Sequence, residues 1–214
     1  MSDTKTPVAA INRDALNLAL VEQGGAFSSA LSERHDHLFA DVALCISTAE
    51  LAQMQAVIDA AEAVAQRRND EMNGDKPAAL GVFYGYDFHL NNDGAHLIEI
   101  NTNAGGAFFN AVLIDSQCET GLPGKALADE NLWQSFNAMF RNEWRLARGD
   151  APLNTIAIVD ESPQEQYLYP EFLLAKNCLE RDGIEVFIVD PADLQARDDG
   201  LYVGEVKIDL IYNR

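Results

Sequence analysis

Hydrophobic residues recur at helical spacing in three long stretches of the chain. Residues 11–23 place aliphatic side chains among polar ones, and a longer run begins at Ser47 or Thr48 and ends near Arg68. A third stretch, residues 129–147, carries a stripe of leucine, methionine and aromatic side chains. Spacings of three and four residues put such side chains on one face of a helix. These stretches therefore predict amphipathic helices, the second of which starts with a serine or threonine cap followed by an acidic residue.

Shorter apolar runs predict strands. Residues 42–47 form a brief apolar run that we expect to be a buried strand, and residues 79–90 are rich in aromatic and β-branched side chains. Residues 91–94, Asn-Asn-Asp-Gly, favour a tight turn because these residue types accept positive φ. Residues 95–101 then supply a return strand. The pattern predicts an antiparallel hairpin, followed by a glycine-rich turn that leads into an apolar helix.

The last third of the chain shows a different pattern. Apolar runs at residues 155–160 and 184–190 flank a helical segment, residues 166–183, that ends in glycine. This order predicts a βαβ unit with parallel strands. Residues 201–214 predict one or two further short strands. The polar segment 149–154 before this unit is the best candidate for a domain boundary.

The predicted fold class is a mixed α and β protein (α/β or α+β) in two parts. An antiparallel hairpin or sheet with helices occupies residues 1–150, and a small βαβ parallel-sheet domain occupies residues 151–214. The chain stops at Arg214, directly after an apolar strand-like run. Because a domain rarely ends flush with a buried strand, we expect a further C-terminal part to follow.

The charge balance excludes two classes of partner. The chain carries 34 acidic and 15 basic residues, for a formal net charge of −19. Such a surface repels nucleic acid and anionic membranes. The sequence also lacks an apolar run of the ~20 residues that span a membrane, and its N-terminus lacks the apolar core of a signal peptide. We therefore expect a cytoplasmic protein with small-molecule partners; no sequence feature indicates an oligomeric state.

The three cysteines, Cys45, Cys118 and Cys178, lie far apart and form no Cys-x-x-Cys pair. An odd number at wide spacing argues against both a disulfide framework and a zinc cage. We expect all three to be buried small hydrophobic side chains.

Asp87, Glu99 and Asn101 place three oxygen-bearing side chains on the predicted hairpin. Side chains opposite each other across a hairpin lie about 5 Å apart, and residues two apart on one strand point the same way. With the turn at 91–94, Asp87 opposes Ile98 in a regular register, so a bulge or a one-residue slip brings it beside Glu99. Two carboxylates and an amide oxygen favour Mg²⁺, Mn²⁺ or Ca²⁺ over zinc.

The alternative is a solvated hairpin face with three polar residues. Glu99 argues for the metal, because it lies in an apolar strand where an unpaired buried charge is costly. Gly105 and Gly106 follow directly, and glycines at a strand-to-helix turn let backbone N–H groups approach an anion. A plain helix entry would use the same residues. Arg214 is a further candidate for binding an anion, with a solvated arginine as the alternative.

These motifs resemble the metal-binding half of the ATP-grasp superfamily, in which a strand acid and a downstream Glu-x-Asn hold Mg²⁺ against ATP. The Tyr-Asp-Phe at 86–88 and the Glu-Ile-Asn at 99–101 are similar to the circularly permuted ATP-grasp proteins related to glutathionylspermidine synthase. The metal hairpin comes before the βαβ unit here, which is the permuted order. The resemblance covers roughly residues 40–115 and 155–214.

The resemblance implies that residues 1–150 are the metal-bearing half of an ATP-grasp-like domain. It also implies that residues 151–214 are a small pre-ATP-grasp-like α/β domain. Asp87, Glu99 and Asn101 would be its metal ligands. The implied reaction uses ATP and Mg²⁺ (or Mn²⁺) to phosphorylate a small-molecule carboxylate, which an amine then converts to an amide.

Two features depart from the family pattern. Related synthases tend to carry a phosphate-binding arginine two residues before the metal aspartate, where this chain has Gly85. The nucleotide-clamping lysines normally follow the small α/β domain, after the point at which this sequence ends. An alternative function is therefore a non-catalytic ATP-grasp-like binding domain that has lost nucleotide turnover. An acidic Ca²⁺-binding module is a third, which the absence of an Asp-x-Asp-x-Asp-Gly loop disfavours.

Overall fold

The structure is a computed structural model that describes residues 8–31, 37–73, 80–118, 120 and 131–214. It shows a mixed α and β protein with small antiparallel and parallel sheets. The chain forms two compact units. The first comprises Met1–Ile11 and Asp41–Ala104, and the second comprises Asn12–Ala40 and Gly105–Arg214.

The described residues form six α-helices and ten strands. The helices are α1 (Arg13–Glu22), α2 (Gly25–Ala30), α3 (Thr48–Asn73), α4 (Ala107–Gln117), α5 (Leu132–Arg148) and α6 (Tyr169–Arg181). The strands are β1 (Val8–Ala10), β2 (Val42–Leu44), β3 (Gly85–Asn91), β4 (Gly94–Asn101), β5 (Thr155–Val159), β6 (Glu185–Val189), β7 (Leu194–Arg197), β8 (Gly200–Val203), β9 (Val206–Ile208) and β10 (Leu210–Asn213).

The first unit contains two antiparallel strand pairs and the long helix α3. β1 pairs with β2, β3 pairs with β4, and α3 packs against β4. The predicted strand at 42–47 is present only at Val42–Leu44, and the prediction that it is buried is wrong, since Val42 is 46% and Leu44 is 61% exposed. A two-stranded ribbon leaves one of its faces to solvent unless another layer covers it. Among the described residues of this unit, Phe83 is the one buried hydrophobic side chain.

Two predicted boundaries in the first unit move. α3 begins as predicted, after Ser47, but ends at Asn73 instead of near Arg68. The sequence has no glycine or proline between those two residues, so nothing there breaks the helix. Of the predicted strand at 79–90, residue 79 lies outside the described residues and the strand begins at Gly85; Gly81, with a φ of +89°, departs from extended backbone.

The second unit is built on a parallel sheet of three strands in the order β10-β5-β6. The predicted βαβ unit is confirmed as β5, α6 and β6, and every residue of β5 is buried. The C-terminal segment holds more strands than predicted, since β7, β8 and β9 form an antiparallel meander before β10 returns to pair with β5. The predicted boundary at 149–154 lies inside this unit, because α4 and α5 both pack against α6.

Aromatic side chains fill the core of the second unit. The predicted stripe on α5 is confirmed by Phe136 and Phe140, which are both buried. The ring centroid of Phe136 lies 4.9 Å from that of Phe108, and the ring centroid of Phe140 lies 5.1 Å from that of Tyr212. Both pairs have the edge-on geometry that suits aromatic rings. These contacts join α5 to α4 and to the parallel sheet.

The cysteine prediction holds for Cys178 alone. Cys178 is buried, and burial raises the pKa of its thiol to about 11. Cys118 is exposed at the C-terminal end of α4, and Cys45 is half-buried just after β2. Cys45 and Cys118 have apolar neighbours in the sequence but are not buried, since one follows the short strand β2 and the other the C-terminus of α4. None of the helices in the described ranges has the length and apolar character needed to cross a bilayer.

Candidate functional site

The predicted hairpin and its turn are confirmed in the first unit. Asn91 pairs with Gly94 and Leu90 pairs with Ala95, so Asn92 and Asp93 form a two-residue turn. The Asn91 side-chain oxygen accepts a hydrogen bond from the Asp93 N–H at 2.8 Å, which stabilises this turn locally.

A β-bulge then sets the register of the metal candidates. The pairing shifts between Asp87 and Phe88, so that Phe88 pairs with Leu97 while Asp87 pairs with Glu99. Ile98 is the extra residue on β4. A bulge was one of the two predicted irregularities, and it puts the two carboxylates directly opposite each other.

The bulge also determines which face of the hairpin carries the three predicted ligands. Directly paired residues project to the same face of an antiparallel sheet, and residues two apart on a strand do likewise. Asp87, Glu99 and Asn101 therefore share one face. In a regular register Glu99 would be on the opposite face from Asp87.

This face is open to solvent. Asp87 and Glu99 are exposed and Asn101 is half-buried. Glu99 is therefore not the buried charge that the apolar strand predicted, since its neighbours Ile98 and Ile100 are themselves 67% and 42% exposed. In the described part of the chain, neither carboxylate side chain accepts a hydrogen bond or forms an ion pair. Two like charges directly opposite each other destabilise a hairpin unless a cation lies between them.

The other face of the hairpin is attached to α3. The Tyr86 hydroxyl donates a hydrogen bond to the Glu62 carboxylate, and the Ala95 N–H donates to the Gln53 side-chain oxygen at 3.2 Å. The bond to Glu62 raises the pKa of Tyr86 to about 12. These contacts leave the Asp87 face directed away from the helix.

Gly85, which stands where related synthases carry arginine, is a point of close approach. A Cβ at this position would lie 3.1 Å from the Ala104 Cβ and 3.5 Å from the Asn101 Cβ. A side chain here would crowd the loop after β4 and the Asn101 side chain. The glycine therefore fits the local packing of the hairpin.

In the second unit, Gly105 and Gly106 lie at the start of α4 beside Glu171. The Gly106 N–H donates to one Glu171 oxygen at 2.8 Å, and the Phe108 N–H donates to the other at 3.1 Å. A Cβ on Gly105 would lie 2.6 Å from the Leu168 side chain. The anion bound at this helix N-terminus is thus a protein carboxylate, and a phosphate at the Gly106 N–H would have to displace it.

Arg214 joins the same cluster. Its side chain is 5% exposed, lies 3.8 Å from the Glu171 carboxylate and donates a hydrogen bond to the Tyr212 hydroxyl at 2.9 Å. The alternative of a solvated Arg214 is therefore wrong. Burial raises the pKa of Glu171, while the two backbone N–H groups and Arg214 oppose that rise.

Glu171 was not among the predicted site residues. It lies on α6 and is 4% exposed, and the available signal was an acid between the apolar residues Pro170 and Phe172. Of the predicted site residues, Asp87, Glu99 and Asn101 come together on the hairpin. Gly105, Gly106 and Arg214 come together around Glu171.

Within the described ranges, no three or more histidine, cysteine, aspartate and glutamate side chains form a group that could hold a metal ion. The predicted ligands on the hairpin include only two residues of these types, Asp87 and Glu99; the third, Asn101, is an amide. Comparison with protein-family models and with curated proteins found no match to this chain. The functional assignment therefore depends on the residues and their geometry.

Proposed function

We propose that this protein is an ATP- and Mg²⁺-dependent carboxylate–amine ligase that works through an acyl phosphate. The observation that carries the proposal is the direct pairing of Asp87 with Glu99 across the hairpin, with Asn101 on the same face. These are the residues by which the chain resembles the permuted ATP-grasp proteins.

The donor set suits a hard divalent cation. Mg²⁺ binds through one or two carboxylates and completes its coordination with water and substrate phosphate. Asp87 and Glu99 are exposed and lack a cationic partner in the described chain, so a metal would relieve their mutual repulsion. Asn101 adds a neutral oxygen donor next to Glu99.

In the proposed reaction, a carboxylate oxygen of the substrate attacks the γ-phosphorus of ATP and ADP leaves. The amine nitrogen then attacks the acyl carbon, phosphate leaves, and the amine loses a proton to give the amide. A bound Mg²⁺ would neutralise charge on the phosphates. Asp87 and Glu99 would hold and orient the cation, and the bulge at Ile98 would keep the two carboxylates on one face.

The test is Mg²⁺-dependent ATP turnover in the protein purified as its gene encodes it. A panel of small carboxylates with hydroxylamine as the trapping amine reports acyl-phosphate formation as hydroxamate, together with ADP release. We expect Asp87→Asn and Glu99→Gln each to lower kcat about a hundredfold or more, because positioned charge supplies most of the rate in phosphoryl transfer. Asp93→Asn is the matched control, since it removes an exposed acid from the turn of the same hairpin.

Normal turnover in the Asp87→Asn, Glu99→Gln double variant would refute the proposal. An equal loss of activity in Asp93→Asn would show a general effect of hairpin charge and would also count against it. Circular dichroism of each variant checks that the fold is kept.

A second candidate is a binding domain that keeps the fold without turnover. It is favoured by Gly85 in place of the expected arginine and by the engagement of Gly106 and Arg214 with Glu171. This candidate predicts Mg²⁺-dependent ATP binding, measured by calorimetry, with no ADP release and no hydroxamate from any carboxylate in the panel.

A further inference from the structure

The exposed face of the hairpin carries a second pair of potential metal ligands, beyond those used in the proposed function. His89 on β3 pairs directly with His96 on β4, and both side chains are exposed. Along β3, the exposed residues Asp87, His89 and Asn91 alternate with half-buried ones. The two histidines therefore project from the same face as Asp87 and Glu99.

The spacing allows the two imidazoles to share one ion. Directly paired residues of an antiparallel hairpin have Cβ atoms about 5 Å apart. Two imidazoles at that separation can both reach a single cation by rotation about their side-chain bonds. The next rung, Asp87 and Glu99, lies about 7 Å along the strands. The histidine pair and the carboxylate pair, which we call the two rungs of the hairpin, are therefore adjacent but distinct.

One of the histidines is already held by a hydrogen bond. The His96 Nε2 lies 3.2 Å from the Asn91 side-chain oxygen, which also accepts the Asp93 N–H. If Nε2 carries the proton, this contact leaves the lone pair on Nδ1. An imidazole that donates through one nitrogen and ligates through the other is the usual arrangement in metal sites.

We propose that His89 and His96 form a binding site for an imidazole-preferring divalent transition ion, with Zn²⁺ as its representative. Imidazole nitrogen suits Zn²⁺, Ni²⁺ and Cu²⁺, whereas Mg²⁺ takes oxygen ligands, so the two rungs of the hairpin select different classes of cation. The formal net charge of −19 raises the local concentration of any cation at the surface. Water completes the coordination of a two-histidine site.

The experiment measures Zn²⁺ affinity near neutral pH by competition with a fluorescent chelator, in excess Mg²⁺ and without ATP. We expect His89→Gln and His96→Gln each to weaken the protein's tightest Zn²⁺ binding at least about tenfold, because each leaves one imidazole and removes the chelate effect. His37→Gln is the matched control, since it removes another exposed histidine from the same chain. In the wild type, the imidazole NMR signals of His89 and His96 should shift together on Zn²⁺ addition.

Zn²⁺ affinity within about twofold of wild type in both hairpin variants would overturn the proposal. A loss in Asp87→Asn as large as that in His96→Gln would also overturn it, because the ion would then belong to the carboxylate rung. Since the readout uses Zn²⁺ alone, failure of the ligase proposal leaves this test unaffected.

Discussion

Glu171 organises the start of α4 from a neighbouring helix. Its two carboxylate oxygens accept hydrogen bonds from the N–H groups of Gly106 and Phe108. The buried guanidinium of Arg214 supplies a positive charge, with a nitrogen 3.8 Å from a Glu171 oxygen. The first N–H groups of a helix have no partner within the helix, so a carboxylate placed there satisfies them. Gly105 leaves the space that this approach requires.

We predict that Glu171→Ala destabilises the protein by about 3 kcal/mol or more, because it leaves two backbone donors and the Arg214 guanidinium without their buried acceptor. Denaturant unfolding at neutral pH measures the loss. Glu180→Ala on the same helix is the control: Glu180 pairs with Lys176 and its side chain is 40% exposed. A surface pair of that kind contributes under about 1 kcal/mol. Similar losses in both variants would contradict the structural role of Glu171.

The long helix α3 begins with reciprocal bonds between Ser47 and Glu50. The Glu50 N–H donates to the Ser47 hydroxyl oxygen at 3.2 Å, and the Ser47 N–H donates to the Glu50 carboxylate at 2.8 Å. The Ser47 hydroxyl also donates to that carboxylate at 2.6 Å. These bonds from Ser47, led by the side-chain bond, lower the pKa of Glu50 below its ordinary value of 4.5. The sequence predicted this cap because the two residues carry it by themselves.

We predict that Ser47→Ala raises the pKa of Glu50 back towards 4.5. A carboxylate with a lowered pKa in the folded state stabilises the fold above its unfolded pKa, and that contribution is lost as pH falls through the folded value. The variant should therefore lose part of the stability gained between acid and neutral pH. Carboxyl NMR titration of Glu50 measures the shift, and Thr48→Ala serves as the control. An unchanged Glu50 pKa in Ser47→Ala would show that the cap does not set it.

At the scale of the whole molecule, the buried core is unevenly shared. In the second unit, β5 is buried at all five positions, and aromatic side chains of α4, α5 and β10 pack against one another. Among the described residues of the first unit, Phe83 is the one hydrophobic side chain that is buried. Free energies of local opening follow buried apolar contacts, so the two units should differ in stability.

We predict that amide hydrogen exchange is slower in β5 and β6 than in β3 and β4 by at least about tenfold. Amides of β5 should exchange through global unfolding, and those of the hairpin through local opening. Mass spectrometry of peptides from both units measures the rates, and unfolded protein supplies the intrinsic rate of each peptide. Equal protection in the two sheets would mean that the hairpin is stabilised by more than its own described contacts.

Helices, strands and turns could be predicted correctly from the sequence where a local pattern determined them. The stripe of α5, the βαβ order and the turn at 91–94 each depend on residues close in sequence. Prediction failed where the outcome depended on distant residues. Val42 and Leu44 could be buried only if another layer covered their strand. Glu171 could bind the first N–H groups of α4 only because α4 begins beside α6. The burial of Arg214 depends on its contact with the same Glu171.

The sequence by itself determined that Asp87, Glu99, Asn101, His89 and His96 lie on one hairpin, because the turn residues between them fix the pairing. Only the structure decided that Glu99 and Asn101 share the face of Asp87, His89 and His96. One extra residue, Ile98, bulges out of β4, and side chains in a strand alternate with a period of two. Without that bulge, Glu99 would project to the opposite face of the hairpin from Asp87.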